Sequence, residues 1–179
     1  MSKSSSWFSK ILGNAINLEN LESVLEMQLR DLASAEEQLT AALPKMSDAA
    51  TSPELKEAFQ HHLDETIGHQ ARLDEAFRLL GKDPDIETCE AMQGLIAESD
   101  ELIALEGDAE AKDAALIAAA QRVEHYEIAG YGCARTFARR LGHFGVAALL
   151  QETLNEEQQA DRTLTRIAES GINAAAAHA

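Results

Sequence analysis

The sequence predicts an all-α protein in which four long amphipathic helices fold as two αα-hairpins. Three observations carry that expectation. Ala, Leu and Glu dominate, β-branched residues are sparse, and aromatics make up only 4% of 179 residues, a composition that suits helices. Apolar residues recur at helical spacings through four segments. Stop signals separate those segments, closely within each hairpin and distantly between the hairpins.

The chain opens with "MSKSSSWFSKILGNAIN", where Trp7, Phe8, Ile11, Leu12 and Ile16 sit at helical spacing. It lacks the continuous apolar core and the small-residue cleavage site of a secretory signal. Residues 1–17 therefore read as an arm that packs on the body or on a partner subunit. The first long helix is expected over 18–48. Its stripe is Leu21, Leu25, Leu29, Leu32, Leu39, Leu43 and Met46, and Glu36 fills the gap between Leu32 and Leu39. Pro44 is expected to disturb the last turns.

In "TSPEL", Ser52 is the expected N-cap and Pro53 the first helical residue. The second helix should run to Leu80 and stop at Gly81, with Pro84 beyond. Its stripe is Leu55, Phe59, Leu63, Thr66, Leu73, Phe77 and Leu80, with His62 inside it, His69 at its margin and Glu65 nearer one edge. Residues 81–108 hold a shorter periodic stretch, Met92, Ile96, Ser99 and Ile103, read as a short helix within a connection. The third long helix should span Ala109 to Leu141 and end at Gly142. The fourth should span Gly145 to Ser170 and end at Gly171; its stripe is Val146, Leu149, Leu150, Thr153, Leu164 and Ile167, with Glu157 near the centre. Residues 18–170 then form the bundle, and 171–179 a flexible tail with little to pack on.

Two hairpins joined by one long crossover make the topology of a ferritin-like four-helix bundle, whereas an up-down-up-down bundle needs no such connection. A weak internal echo, "HLDETIGHQARL" against "TLNEEQQADRTL", pairs Leu63 with Leu154, Glu65 with Glu156 and Leu73 with Leu164. It agrees with two related hairpins.

The formal net charge of -16 disfavours nucleic acid and anionic membranes as partners. No run of about 18 apolar residues is present to span a bilayer. Cys89 and Cys133 have no close spacing and read as reduced packing thiols of a cytoplasmic protein.

The chemistry lies in "VEHYEIAGY", residues 123–131. Glu124 occupies the stripe where a core Leu is expected. A carboxylate out of water costs several kcal/mol unless it is paired, protonated or bound to a cation. Every long helix shows the same lapse: Glu36, Glu65, Glu124, and Glu157 with Asp161 one turn on. Counted from the two hairpin turns at ~1.5 Å per residue, these positions fall in one layer of the bundle. Carboxylates and imidazoles are ligands for iron and manganese. A di-metal carboxylate site draws a Glu from each of two helices and Glu-x-x-His from the other two. Here the order is His62-x-x-Glu65, followed by Glu65-x-x-x-His69, and the fourth helix offers Glu157-x-x-x-Asp161. Either His62 or His69 can supply nitrogen, and Tyr131 lies two turns from Glu124 as a hydrogen-bond donor. Arg122, Arg135 and Arg162 are the competing ion-pair partners for any one buried Glu, and the two imidazoles could be satisfied core histidines. Four helices with one lapse at one depth favour metal. His125 and Tyr126 fall off the stripe and read as surface or interface residues.

The blocks "AEEQLTAALPKM", "SPELKEAF", "HHLDET", "CEAMQGLI", "DAALIAAAQRVEHYEIAGYG" and "LLQETLNEE" closely resemble the YciF/YciE family of bacterial ferritin-like proteins, over roughly Leu18 to Ile167. The resemblance implies a rubrerythrin-related bundle, a homodimer, induction under stress and a di-metal site. "EHYE" also resembles the rubrerythrin third helix, which implies a ligand role for Glu127 beside Glu124. Thr66 and Ala160 depart from that pattern, standing where rubrerythrins carry a ligating Glu and His. Two cysteines are too few for a rubredoxin-like iron module. The leading expectation is a stress protein with a di-iron or di-manganese centre held by Glu36, Glu65, Glu124, Glu127, Glu157, Asp161 and His62 or His69, active in peroxide or iron detoxification. The competing one is a non-catalytic structural or interaction protein with a degenerate site.

Overall fold

The computed structural model describes residues 18–84 and 86–178, so the expected N-terminal arm lies outside the described residues. Helix α1 (Leu21–Ala49) starts at a capping box: Asn20 Oδ1 accepts from the Ser23 amide at 3.1 Å, and Ser23 Oγ accepts from the Asn20 amide. Leu18, expected inside the helix, is exposed ahead of it. Pro44 sits on the exposed side, and the helix continues through it to Ala49. Helix α2 (Pro53–Leu80) starts at Ser52 and ends at Gly81, whose φ of 65° is the left-handed cap conformation that glycine tolerates. Within the crossover, α3 (Glu90–Ala104) is docked on α1 by the Cys89 amide, which donates to Ser34 Oγ at 2.8 Å. Helix α4 (Ala109–Leu141) is capped by Asp108 and ended by Gly142 at φ 86°.

Helix α5 (Phe144–Ile167) does not end as expected. The chain runs on through a π-helical turn, Ala168–Ile172, into the short α6 (Asn173–Ala176). Gly171 does not take the positive φ of a glycine stop. Ala168 is buried and Ile172 packs on the core, so the extra turn has apolar contacts to hold it.

The four long helices stand around the bundle axis in the order α1, α2, α5, α4, and α3 lies against α4 and α1. The buried Asp113 near the start of α4 accepts from the amides of Thr51 and Ser52 at 2.7 Å each. His143 at the other turn contacts Glu22 at the start of α1, at 3.0 Å. Thus α4 starts beside the α1–α2 turn, although α2 ends at the far end, and the crossover must travel the bundle's length. Gly130 lets α4 approach α1 closely, since a Cβ there would fall 2.8 Å from Leu32 Cδ2.

Burial divides the interior into two apolar clusters. One, with Leu39, Met46, Phe59, Leu116 and Ile167, lies toward the α1–α2 turn. The other, with Leu25, Leu29, Phe77, Tyr131 and Leu150, lies toward the α4–α5 turn. Between them sit Glu36, His62, Thr66, His69, Glu124, Glu127, Thr153 and Glu157, all buried.

Candidate metal centre

Helical spacing builds this polar layer. On α4, Glu124, Glu127 and Tyr131 follow at i, i+3 and i+7, one face of a helix. On α2, His62, Thr66 and His69 follow at i, i+4 and i+7, again on one face. Glu36 enters from α1 and Glu157 from α5.

Two overlapping groups result. One ligand atom from each of His62, Glu124, Glu127 and Glu157 lies within 4.8 Å of the others, and the same holds for Glu36, His69 and Glu157. Glu157 belongs to both. His69 Nδ1 is 3.2 Å from Glu36 Oε1 and 3.0 Å from Glu157 Oε1. His62 Nε2 is 3.4 Å from Glu124 Oε1 and 3.7 Å from Glu157 Oε2. Tyr131 Oη donates to Glu36 Oε1 at 2.5 Å.

The outward nitrogens are held as well. His62 Nδ1 lies 3.4 Å from Glu65 Oε2, and His69 Nε2 lies 3.0 Å from Glu156 Oε2. Arg72 clamps Glu156 through both carboxylate oxygens at 2.7 Å and donates to Thr153 Oγ1 at 2.9 Å.

Charge in this layer is unbalanced: four buried carboxyls face two imidazoles. Burial drives Glu127 well above the ordinary carboxylate range, reinforced by Glu36, Glu157 and Glu124. Burial also lifts Glu124 far up, and the nearby His62 only partly offsets it. Glu36 is raised by burial despite its contact with His69. Burial opposes charge on Glu157 too, but His69 and His62 outweigh it and hold this carboxyl low. Burial would strip the imidazoles of their protons, yet Glu124, Glu65 and Glu157 lift His62 to about 9. Glu157 and Glu36 likewise lift His69 to about 10.

The donor set fits a cation. Both oxygens of Glu127, both of Glu157, Glu124 Oε2, His62 Nε2 and Thr66 Oγ1 are buried without a well-formed hydrogen bond. Glu157 Oε1 is in that state even though His69 Nδ1 stands 3.0 Å away, a contact of charge rather than of aligned N–H. Buried polar atoms are seldom left so, and ligand atoms of His62, Glu124, Glu127 and Glu157 converge on one another.

Of the residues singled out in the sequence, Glu36, His62, His69, Glu124, Glu127 and Glu157 meet in this layer. Glu65 lies at its edge, between the exposed His61 and His62. Asp161 lies outside both groups: it accepts from Gln121 Nε2 at 2.9 Å and lies 3.4 Å from the exposed His125. Four residues at 3.6 per turn leave it ~40° around the helix from Glu157 and one turn along. Arg122, Arg135 and Arg162 contact Glu98, Gln151 and Gln159 on the outside, so the layer's cationic partners are the imidazoles. Tyr126 bonds to Asp31, with Cys89 Sγ 3.1 Å away. Cys89 is buried, but Cys133 is exposed rather than packed. Sequence reading missed Arg72 and Glu156. The internal echo that aligns Glu156 with Glu65 was the available signal, because each braces one imidazole.

The family described as "Domain of unknown function (DUF892)" matches residues 20–177. Protein YciF of Escherichia coli (strain K12) is 43% identical over 162 residues, spanning 88% of this chain and 96% of that protein. The crystal structure of the E. coli stress protein YciF has a TM-score of 0.84 at 44% identity, covering 87% of this chain and 99% of that one. YcfI from Rhodopseudomonas palustris, described as a candidate structural protein, has a TM-score of 0.81 at 42% identity, covering 83% and 95%.

Proposed function

Because the chain belongs to the DUF892 family, we propose for it the role of a stress-associated protein whose core binds a carboxylate-bridged pair of iron or manganese ions, in peroxide or iron detoxification. The observation that carries this reading is the set of buried, unpartnered oxygens on Glu127, Glu157 and Glu124. Glu36 and His69 would hold one ion, His62, Glu124 and Glu127 the other, and Glu157 both. When bound, such a pair supplies redox cycling at adjacent ions.

The protein's own part is positioning. Glu65 accepting from His62 Nδ1–H leaves Nε2 to face the layer; Glu156 accepting from His69 Nε2–H leaves Nδ1 to face it. Outer carboxylates fix ligand tautomers in this manner. Tyr131 aims Glu36 by donating to one of its oxygens. The apolar clusters on either side keep bulk water out of the layer.

Among the described residues no helix is long and apolar enough to cross a membrane. The reading places the chain in the cytoplasm as a homodimer without nucleic acid. The dimer rests on the family resemblance, and the arm over residues 1–17, packing on the body or on a partner subunit, rests on the helical spacing of its apolar residues. The exclusion of nucleic acid rests on the net charge of -16.

One observation favours a non-catalytic structural role instead. Two protonated imidazoles among carboxyls that retain protons give a layer that can persist without metal. Elemental analysis of protein purified without chelator separates the two. The metal reading expects about two iron or manganese ions per chain, as a di-metal carboxylate site requires. No metal, even after anaerobic ferrous loading, would establish the structural role.

A further inference from the structure

We infer that divalent cations reach the core through a cleft between α2 and α5, handed from His61 and Glu65 at the surface to His62 and Glu124 inside. The inference rests on the reading of the core as a cation centre and adds the route to it. The cleft has a volume of about 180 Å³ and is walled by Phe59, Ala160 and Leu164. That is room for an ion with part of its water shell. At its inner end stand His62 and Glu124, which line the cleft and carry buried atoms, Nε2 and Oε2, without hydrogen-bond partners.

A ladder of ligand-type groups runs along it. His61 Nε2 is 3.4 Å from Glu65 Oε1, Glu65 Oε2 is 3.4 Å from His62 Nδ1, and His62 Nε2 is 3.4 Å from Glu124 Oε1. Side-chain exposure falls along this ladder from 73% at His61 to 19% at Glu65, 7% at His62 and 3% at Glu124. The Glu65–His62 contact is a long hydrogen bond, while His61–Glu65 and His62–Glu124 are ion-pair contacts at the same distance, so ligand-type atoms follow one another at short intervals from the surface to the core. Charge at the mouth favours cations. A neighbouring hollow shares Glu65 and Gln159 with the cleft and adds Glu152 and Glu156. Arg72 pairs with Glu156 at 2.7 Å and Glu152 at 3.7 Å, leaving an excess of carboxylate. An acidic depression on a low-dielectric wall concentrates cations and speeds their entry.

Cobalt(II) uptake tests the route without any assay of activity. Chelator-stripped protein is mixed with Co²⁺, and the visible absorption that develops as cobalt exchanges water for protein ligands is followed in time. Ala160→Phe fills the cleft, and His61→Ala removes the outermost ligand at an exposed position where folding is not at stake. The expected result is uptake slowed about tenfold or more in Ala160→Phe and several-fold in His61→Ala, with final cobalt per chain unchanged. Uptake at the parental rate in both variants would overturn the route while leaving the centre intact. No cobalt uptake by the parent protein would overturn the centre, and the route with it.

Discussion

Replacing Glu127 with Met should stabilise the metal-free protein and abolish its response to metal. The side chain is fully buried, and neither oxygen has a hydrogen-bond partner. Burial and three neighbouring carboxyls keep it protonated, so the stripped protein carries an unsatisfied buried acid. Such a group costs about 1–3 kcal/mol, and Met fills a similar volume without it. In a chain of this size ~1 kcal/mol moves the melting temperature by about 2–4 °C. Chelator-treated Glu127→Met should therefore melt roughly 2–12 °C above the parent. Metal should act oppositely. Manganese at about 100 times its dissociation constant adds about 2.7 kcal/mol to a protein that binds it only when folded, and the variant should lose that increment. Thermal melts followed by circular dichroism, with chelator and with added Mn²⁺, read both terms. A chelated variant destabilised by about 2–5 kcal/mol, as a truncated core Leu would be, would refute the reasoning. Glu127 would then be a partnered member of the metal-free fold.

Two further outcomes follow from the same layer. Protonated His62 and His69 stabilise the stripped protein, because their pKa values rise from an ordinary value near 6.5 to about 9 and about 10. That stability is complete below about pH 6.5 and is lost as pH climbs through 9 and 10. The raised carboxyls of Glu36, Glu124 and Glu127 act in the same direction. Melting temperature with chelator should fall across this window while manganese affinity rises as competing protons leave; a flat profile would contradict the charge balance. Tyr131→Phe removes the donor to Glu36 and should weaken metal binding about 10–100-fold, read by competition against a chelator of known affinity.

The helix boundaries that rest on local signals were legible. Ser52-Pro53 and Gly81 bracket α2, and Gly142 closes α4, because a cap or a positive φ is decided by a few adjacent residues. Gly171 misled for the complementary reason: a glycine stops a helix only when it turns left-handed, and contacts of Ile172 with distant residues kept the chain winding. Glu36, Glu124 and Glu157 were legible as breaks in apolar stripes. Glu127 was not, since it lies three residues from Glu124 at the stripe's edge, and only the family resemblance raised it. The choice between His62 and His69 could not be made from spacing, and the structure shows why. Seven residues apart on one face, they serve different carboxylate groups. The clamp of Arg72 on Glu156 joins α2 to α5, a pairing that no single-helix pattern encodes.

The division of the interior also bears on how the bundle comes apart. Two oily blocks separated by a slab of acids and imidazoles share little direct apolar contact, yet every long helix passes through both. Stripped of metal, such a body has a seam, and each end can breathe with the other still closed. Local openings of this kind are the sub-global steps that precede unfolding in many proteins. A pair of ions gripped between them from all four helices at that seam would tie the blocks into one cooperative unit. The centre would then act as the rivet of the fold as well as its chemistry, and loss of metal would loosen the whole length of the bundle.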